Sequence, residues 1–284
     1  MPDTILPYEP YVRLGVSVGV FVLLAAWELI GPRRRQPAGR AARWPGNLGI
    51  VVLDTILVRL VFPVTGVGLA LLAEARGWGL FNLAALPNWI AVAASVVLLD
   101  LAIYLQHVLF HAVPALWRLH RMHHADLAFD VTTGLRFHPV EILLSMLIKL
   151  TVIAALGAPA LSVLIFEVLL NATSMFSHGN IRIPKGFDRV LRWLVVTPDM
   201  HRVHHSTDVA ESNSNFAMLL PWWDHLFSTY QHQPLLGHEG MKLGIAEART
   251  ADDVTLLKLL MLPFSSPASE AATSAMATGR RARS

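Results

Sequence analysis

The stretch His120-Arg121-Met122-His123-His124 recurs about eighty residues later as His201-Arg202-Val203-His204-His205. The chain has only 13 histidines in 284 residues, so two copies of an H-x-x-H-H motif are difficult to attribute to chance. Packing is a poor explanation too, because clustered imidazoles that bind nothing lose their hydration without compensation. The two motifs therefore predict a metal site, and the fold must bring them together.

The composition predicts a membrane protein. Hydrophobic residues make up 54% of the chain and charged residues 15%, and the mean hydropathy is positive, which exceeds what a soluble domain of this length needs. There is no cysteine, so disulfides are excluded, and a metal must be held by histidine, carboxylate or water. The net charge of +3 is small and gives no reason to expect nucleic acid as a partner.

Apolar runs predict an all-α membrane bundle with a cytoplasmic cap. Five arginines follow the first run at once, which places its C-terminal end in the cytoplasm and argues against a cleaved signal peptide. The predicted membrane helices cover about residues 11–31, 48–72 and 88–113 and a hairpin of 140–156 and 160–177. Residues 178–262 form the cap of this single domain (1–262), and residues 263–284 read as a disordered tail.

This topology places every histidine cluster on one face. The first motif follows the end of the third predicted helix, and the hairpin returns His178 and the second motif to the same cytoplasmic side. Hydropathy and arginine placement predict this topology without reference to the histidines. The placement of all histidine clusters on one face is therefore an independent check of the topology.

Two further histidines precede the first motif. His107 and His111 are four residues apart and share an arc of about 60° with Asp100 and Tyr104 on one helix. Alone, such a pair is more often interfacial or hydrogen-bonded than metal-binding. With the two motifs and His178 it makes nine nitrogen donors, too many for one metal and suited to two.

The order H-x3-H, H-x2-H-H, a single histidine and a second H-x2-H-H resembles the sterol desaturase and fatty acid hydroxylase superfamily between about residues 100 and 230. Residues 132–141 (TTGLRFHPVE), 176–181 (FSHGNI) and 213–230 (NSNFAMLLPWWDHLFSTY) extend the resemblance. It implies an integral membrane enzyme with a non-haem di-iron centre that uses O2 and two external electrons. The ligands it implies are His107, His111, His120, His123, His124, His178, His201, His204 and His205.

The sequence departs from the family at one position. Some members carry a further histidine four residues before His178, where this chain has Ser174, with Asn171 one turn earlier. Imidazole N–H groups need acceptors, and the residues that we consider for this supporting role are His138, Asp100, Asn171, Ser174, Asn180, Asp199 and Asn213, together with Asp126, Asp130, Asp208 and Asn215. For Asp126 and Asp130, a solvated loop carboxylate is an equal alternative. His225, His232 and His238 are expected at the surface.

Charges inside the predicted helices suggest partners, because an isolated charge in the membrane is costly. In two antiparallel helices, residues equally far from the turn between them lie at the same depth. This rule pairs Lys149 with Glu167 in the hairpin, and it pairs Arg59 with Asp100 across the link near residue 80. Glu167 also has a rival role, since it lies on a polar stripe that leads to His178.

The substrate route is expected to be an apolar pocket between helices. The residues considered for its walls are Gly134, Phe137, Met175, Phe176 and Trp222, for which simple core packing is the alternative. Arg118, Arg121 and Arg202 are considered as contacts for a lipid head group or an acidic electron donor, with anchoring at the membrane interface as the alternative.

These features predict an O2-dependent hydroxylase of a membrane lipid, sterol or fatty acyl substrate, with two iron ions that zinc replaces readily. Electrons would come from a separate protein such as a cytochrome b5, a ferredoxin or a reductase. A desaturase using the same site is the alternative. A membrane metal transporter would need ligands along a path through the bilayer, and a zinc hydrolase would need a glutamate base within the motifs.

Overall fold

The computed structural model describes residues 6–37, 39–84 and 86–265. Within these ranges the regular structure is helical, and β-pairing is limited to isolated bridges such as Pro32 with Ile181. The helices are α1 Glu9–Ile30, α2 Arg40–Val61, α3 Gly66–Arg76, α4 Leu80–Leu83, α5 Asn88–Ala112, α6 Pro114–His124, α7 Pro139–Leu156, α8 Ala160–Ser177, α9 Lys185–Leu191, α10 Pro198–His204, α11 Val209–Ser212, α12 Trp222–Leu226, α13 Gly237–Gly240 and α14 Leu256–Met261.

Proline sets the start of the helices that carry the two histidine motifs. Pro114 and Pro198 are the first residues of α6 and α10, and proline suits this position because its fixed φ is helical and its missing N–H would be unpaired there. Pro139 begins α7 in the same way, and the side chain of His138 accepts a hydrogen bond from the Val140 N–H at 3.2 Å. Each motif therefore occupies a short helix of defined start.

In the part of the chain that the structure describes, five helical segments are long and apolar enough to cross a membrane by length and composition. They are Leu6–Ile30, Arg40–Leu83, Asn88–Ala112, Pro139–Leu156 and Ala160–Ser177. The second differs from the predicted unbroken crossing over residues 48–72, because α2 ends at Val61 and α3 begins at Gly66. Pro63 lies in the break, and Thr65 caps α3 by accepting a hydrogen bond from the Gly68 N–H at 3.0 Å.

One of the two predicted intramembrane ion pairs is confirmed. Lys149 on α7 donates to Oε1 of Glu167 on α8, and Arg13 on α1 lies 2.9 Å from Oε2 of the same carboxylate. Glu167 therefore joins three helices, because both its oxygens have cationic partners.

The predicted pairing of Arg59 with Asp100 is wrong. Oδ2 of Asp100 accepts hydrogen bonds from Trp223 Nε1 at 2.8 Å and from the Leu220 N–H at 3.1 Å, whereas the side chain of Arg59 is exposed. The prediction assumed that the link near residue 80 joins two unbroken antiparallel helices. The break after Val61 and the intervening α3 and α4 remove that register.

The segment after α14 is tied to the histidine helix α6. Arg118 Nε donates to the carbonyl of Pro263 at 2.9 Å, and Arg121 Nη2 donates to that of Leu262 at 2.6 Å. The predicted disordered tail therefore begins too early at residue 263, and its residues 266–284 lie outside the described part of the chain. Arg121 is buried and thus unavailable as the predicted contact for a head group or a donor protein.

Candidate metal centre

The nine predicted histidines come together in two groups in which the candidate donor atoms lie within 4.8 Å of one another. Each H-x-x-H-H motif is divided between them. His123 joins the group of the second motif, and His204 joins that of the first. The five-histidine group is His107, His111, His120, His124 and His204, and the four-histidine group is His123, His178, His201 and His205.

Helical geometry explains the division. The first and last histidines of each motif are four residues apart and point about 40° from one another around the helix. The middle histidine is three residues after the first and points about 60° from it in the opposite direction around the helix. The helix α6 therefore contributes two imidazoles to one group and one to the other, and so does α10 together with His205, which caps its C-terminal end.

The Nε2 atoms face each other inside both groups. In the first group, His120 Nε2 lies 3.1 Å from that of His107 and 3.2 Å from that of His124. In the second group, His178 Nε2 lies 3.1 Å from His123 Nε2 and from His205 Nε2. His178, the single histidine between the motifs, is thus central to its group.

Backbone carbonyls accept hydrogen bonds from the outer ring nitrogens. Nδ1 of His107 lies 2.6 Å from the carbonyl oxygen of Phe216, and the equivalent distance from His178 to Ser174 is 2.7 Å. His123 and His204 make the same contact with Arg136 at 3.0 Å and Ser214 at 2.7 Å. Since a carbonyl only accepts, Nδ1 carries the proton in these four rings, and Nε2 presents a lone pair inward.

This tautomer makes the two groups fit metal ions. Two neutral imidazoles with facing Nε2 lone pairs cannot hydrogen-bond to each other. A metal–nitrogen bond of about 2.1 Å with an angle of about 90–110° between ligands puts two nitrogens about 3.0–3.4 Å apart. The observed separations of 3.1 and 3.2 Å lie in this range, so the donor set matches metal coordination.

Two side chains complete the support of the first group. Nδ1 of His120 lies 2.6 Å from Oε1 of the buried Glu141, and Nδ1 of His111 lies 3.3 Å from Oδ1 of Asn213. Asn213 was predicted in this role, whereas Glu141 was not. The signal in the sequence was its place in the first turn of α7, two residues after Pro139, where its carboxylate faces the first motif.

Burial favours the neutral form of six histidines of the two groups that lie outside the membrane helices. Desolvation is the largest cause that lowers the pKa of His123, His124, His201, His204 and His205 well below the usual value, and neighbouring imidazoles lower each of them further. Burial also lowers the pKa of His178 to about 3, although its hydrogen bond to Ser174 opposes the shift. Neutral imidazole is the form that binds metals.

Other predicted supporting residues contact different partners. Asn171 accepts from Ser17 Oγ at 2.8 Å, and the Ser174 hydroxyl donates to the Gly134 carbonyl at 2.6 Å. Neither side chain is directed at the histidines, so Ser174 supports His178 through its carbonyl alone. The remaining candidates bind elsewhere: Asp100 to Trp223, Asn180 to Arg34, Asp199 to Arg33 and Arg202, Asp208 to the N-terminus of α11, Asn215 to the Met200 carbonyl, and His138 to Val140 and Leu260.

A buried ion network holds the loop after the first motif. Arg43 binds Asp126 at 2.6 and 2.8 Å and Asp130 at 2.7 Å, and Arg136 Nη2 donates to the His123 carbonyl at 3.1 Å. Burial alone would raise the pKa of Asp126, but Arg43 and Arg136 lower it below its usual value. These carboxylates therefore position the loop rather than contacting imidazoles.

His238 is not the surface residue that the sequence suggested. It is 5% exposed, and burial lowers its pKa to about 4 even though Asp199 opposes the shift. His225 and His232 are exposed, as predicted. Arg202, considered as a lipid contact, is buried and binds Asp199.

An apolar groove of about 630 Å³ runs between α5 and α8. Of the predicted wall residues, Trp222 lines it, while Phe137 instead stacks on His123 with ring centroids 4.6 Å apart. Met175 is buried in a core cluster, against which Phe176 packs, and Gly134 packs against the Ser174 carbonyl. The groove residues are Asn88, Trp89, Val92, Ala93, Val96, Val97, Leu161, Ile165, Leu169, Leu219, Leu220 and Trp222.

Residues 92–229 match the sequence model of the family described as fatty acid hydroxylase. The chain is 30% identical over 149 residues to the ornithine lipid hydroxylase OlsE of Rhizobium tropici, covering 52% of this chain and 44% of that protein. It is 26% identical over 237 residues to the alkylglycerol monooxygenase of Homo sapiens, covering 81% of this chain and 48% of that protein. It is 25% identical over 157 residues to a very-long-chain aldehyde decarbonylase of Oryza sativa subsp. indica, covering 52% of this chain and 24% of that protein.

The chain spans less than half the length of each of these relatives. No solved structure matches it significantly.

Proposed function

Because residues 92–229 of this chain belong to the fatty acid hydroxylase family, we propose that the protein is a multi-pass membrane oxygenase that hydroxylates a lipid, sterol or fatty acyl substrate. The observation that carries the proposal is the convergence of nine buried or half-buried imidazoles in two groups, with Nε2 lone pairs facing inward. Relatives named as a lipid hydroxylase and a monooxygenase support the same class of reaction.

The two histidine groups would each hold one iron ion. His107, His111, His120, His124 and His204 would bind the first, and His123, His178, His201 and His205 the second. Two irons so held would supply, with O2 and two external electrons, the oxidising power that an unactivated C–H bond requires. The absence of cysteine and the nitrogen-only donor set leave zinc as a ready replacement in purified material.

The protein's own residues orient and shield this site. Carbonyl acceptors and Glu141 fix the imidazole rings, because each bound Nδ1 proton prevents rotation of its ring. Phe137 stacks on His123, and Phe129 stacks on His178 with centroids 5.2 Å apart. These aromatic faces limit the access of water to the nitrogen donors.

The groove between α5 and α8 supports an apolar substrate that enters from the bilayer. Leu219 and Leu220 line this groove and follow Phe216 by three and four residues in the chain. The ring of Phe216 lies 5.6, 5.1 and 5.4 Å from those of His107, His111 and His204. A lipid chain in the groove would thus end near the five-histidine group. Its polar part would remain near the cap.

The arginines after α1 support a cytoplasmic location for this site. Residues 1–262 would then be one membrane-embedded oxygenase domain. Electrons would arrive from a separate donor such as a cytochrome b5, a ferredoxin or a reductase.

The test combines lipid profiling with metal analysis. Cells that express the protein should gain a lipid heavier by one oxygen, and cells that express His107→Ala should not. A product lighter by two hydrogens would assign desaturation instead. In purified protein, O2 uptake should depend on iron, and turnover with zinc in the absence of O2 would contradict the proposal. Zinc found in purified protein that shows no turnover would not contradict the proposal.

A further inference from the structure

A second cavity, separate from the apolar groove, lies beside the chain that leaves α1. It is a cleft of about 160 Å³ lined by Arg34, Arg35, Gln36, Pro37, Leu127, Ala128, Phe129, Asn180, Met241, Lys242, Leu243 and Arg249. We propose that this cleft binds the phosphate or carboxylate group of an anionic ligand. The proposal concerns binding alone and stands independently of the proposed hydroxylase activity.

The first argument is charge. Four of the lining residues, Arg34, Arg35, Lys242 and Arg249, are cations, and none of the lining residues is acidic. The nearby carboxylate of Glu239 pairs with Arg33, and its side chain is 67% exposed. The cleft therefore concentrates positive charge that its own walls do not neutralise, which favours an anion.

The second argument is an unpaired donor. Arg34 Nη2 donates to the Met241 carbonyl at 2.8 Å, which holds the guanidinium in place. Its Nη1 is buried and has no hydrogen-bond partner among the residues that the structure describes. A buried charged donor without a partner is unfavourable, so the Arg34 guanidinium lacks one acceptor. Guanidinium is well suited to binding an oxyanion, because its parallel N–H groups match the oxygens of phosphate and carboxylate.

The third argument is that the cleft is held rigidly by backbone and amide contacts. The Arg34 N–H donates to Asn180 Oδ1 at 3.0 Å, and Asn180 Nδ2 donates back to the Arg34 carbonyl at 2.9 Å. Gln36 Nε2 donates to the Phe129 carbonyl at 2.7 Å. Fixed walls lower the entropic cost of binding a small group.

The size of the cleft limits the ligand. A volume of about 160 Å³ accommodates a phosphate or carboxylate with a few neighbouring atoms, but not a whole lipid. The ligand is thus either a free anion or the head of a lipid whose chains lie outside the cleft. Phe129 is one of the lining residues, and its ring stacks on His178, so the cleft borders a residue that contacts the four-histidine group.

The test measures binding to the full chain in a neutral detergent and phosphate-free buffer by titration calorimetry. Inorganic phosphate and dihexanoyl phosphatidic acid, the latter below its micelle concentration, serve as separate probes. The variants are Arg34→Gln and Lys242→Gln, and the matched control is Arg189→Gln, an exposed cation of α9 outside the cleft. Lys242→Gln guards against misfolding, because the Lys242 side chain is exposed and makes no hydrogen bond or ion pair among the described residues.

We expect each variant in the cleft to weaken binding by about tenfold, while the control binds like the original protein. Binding of phosphate alone would assign a free anion as the ligand, and binding of phosphatidic acid alone would assign a lipid head group. Failure of both probes to bind would overturn the proposal. So would unchanged affinity in both Arg34→Gln and Lys242→Gln.

Discussion

Nδ1 of His120 lies 2.6 Å from Oε1 of Glu141, which joins the first histidine motif to the first turn of α7. Both side chains are buried, so the carboxylate fixes the ring and increases the basicity of its Nε2. We expect Glu141→Leu to reduce metal affinity by about 10–100-fold. Glu141→Gln should cost less, because its amide oxygen still accepts the same proton.

Metal content after dialysis against a chelator measures this effect. Glu74→Gln, which alters an exposed carboxylate of α3, is the control. Equal metal retention by Glu141→Leu and the unaltered protein would contradict a supporting role for Glu141.

The two histidine groups predict separable losses of metal. His178→Ala removes the imidazole whose Nε2 faces His123, His201 and His205, whereas His107→Ala affects only the other group. Each variant should lose about one of two metal ions per chain, and the double variant should lose both. Elemental analysis with protein quantification gives the stoichiometry. Loss of both ions from either single variant, with the fold intact by circular dichroism, would indicate one cooperative site instead.

Gly134 lies where α8 approaches the loop after the first motif. A Cβ at this position would collide with the Ser174 carbonyl and lie 3.0 Å from His178 Nδ1. We expect Gly134→Ala to displace the acceptor of His178 and to lower metal occupancy of the four-histidine group. Gly19→Ala is the control, because its Cβ meets nothing within 4 Å. Equal occupancy in both variants, again by elemental analysis, would show that α8 shifts without disturbing His178.

The contacts of Glu167 predict unequal effects of removing its partners. Lys149→Met leaves Glu167 paired with Arg13, whereas Glu167→Gln removes the carboxylate that Lys149 binds and leaves Arg13 with Glu9 at 3.5 Å. Removing one partner of a buried pair costs about 3–5 kcal/mol, so Glu167→Gln should lower the melting temperature in detergent more than Lys149→Met does. The reverse order would mean that Arg13 does not stabilise Glu167.

His238 predicts a pH effect on stability. Its pKa in the folded protein is about 4, below the usual 6.5, so the unfolded chain binds more protons between these values. Stability is therefore lost as the pH falls through this window, by up to about 1.4 kcal/mol per pH unit. His238→Gln should show a shallower loss of melting temperature between pH 7 and pH 5. Parallel curves for the two proteins would contradict the assignment.

The sequence determined most of the apolar helical segments, the nine histidines that the fold brings together and the pairing of Lys149 with Glu167. Each depends on local periodicity or on counting across a tight turn, where backbone geometry leaves few alternatives. The same counting failed for Arg59 and Asp100, because the helix that it assumed to be continuous is broken at Pro63.

Only the tertiary structure decided how the motifs divide, with His123 and His204 each joining the other motif's group. It also decided that Glu141 contacts His120 and that His238 is buried. Which side of a helix an imidazole occupies follows from 100° per residue, but which neighbours it meets there depends on how α6, α8 and α10 approach one another. Those approaches arise from contacts between residues far apart in the chain, and no local pattern encodes them.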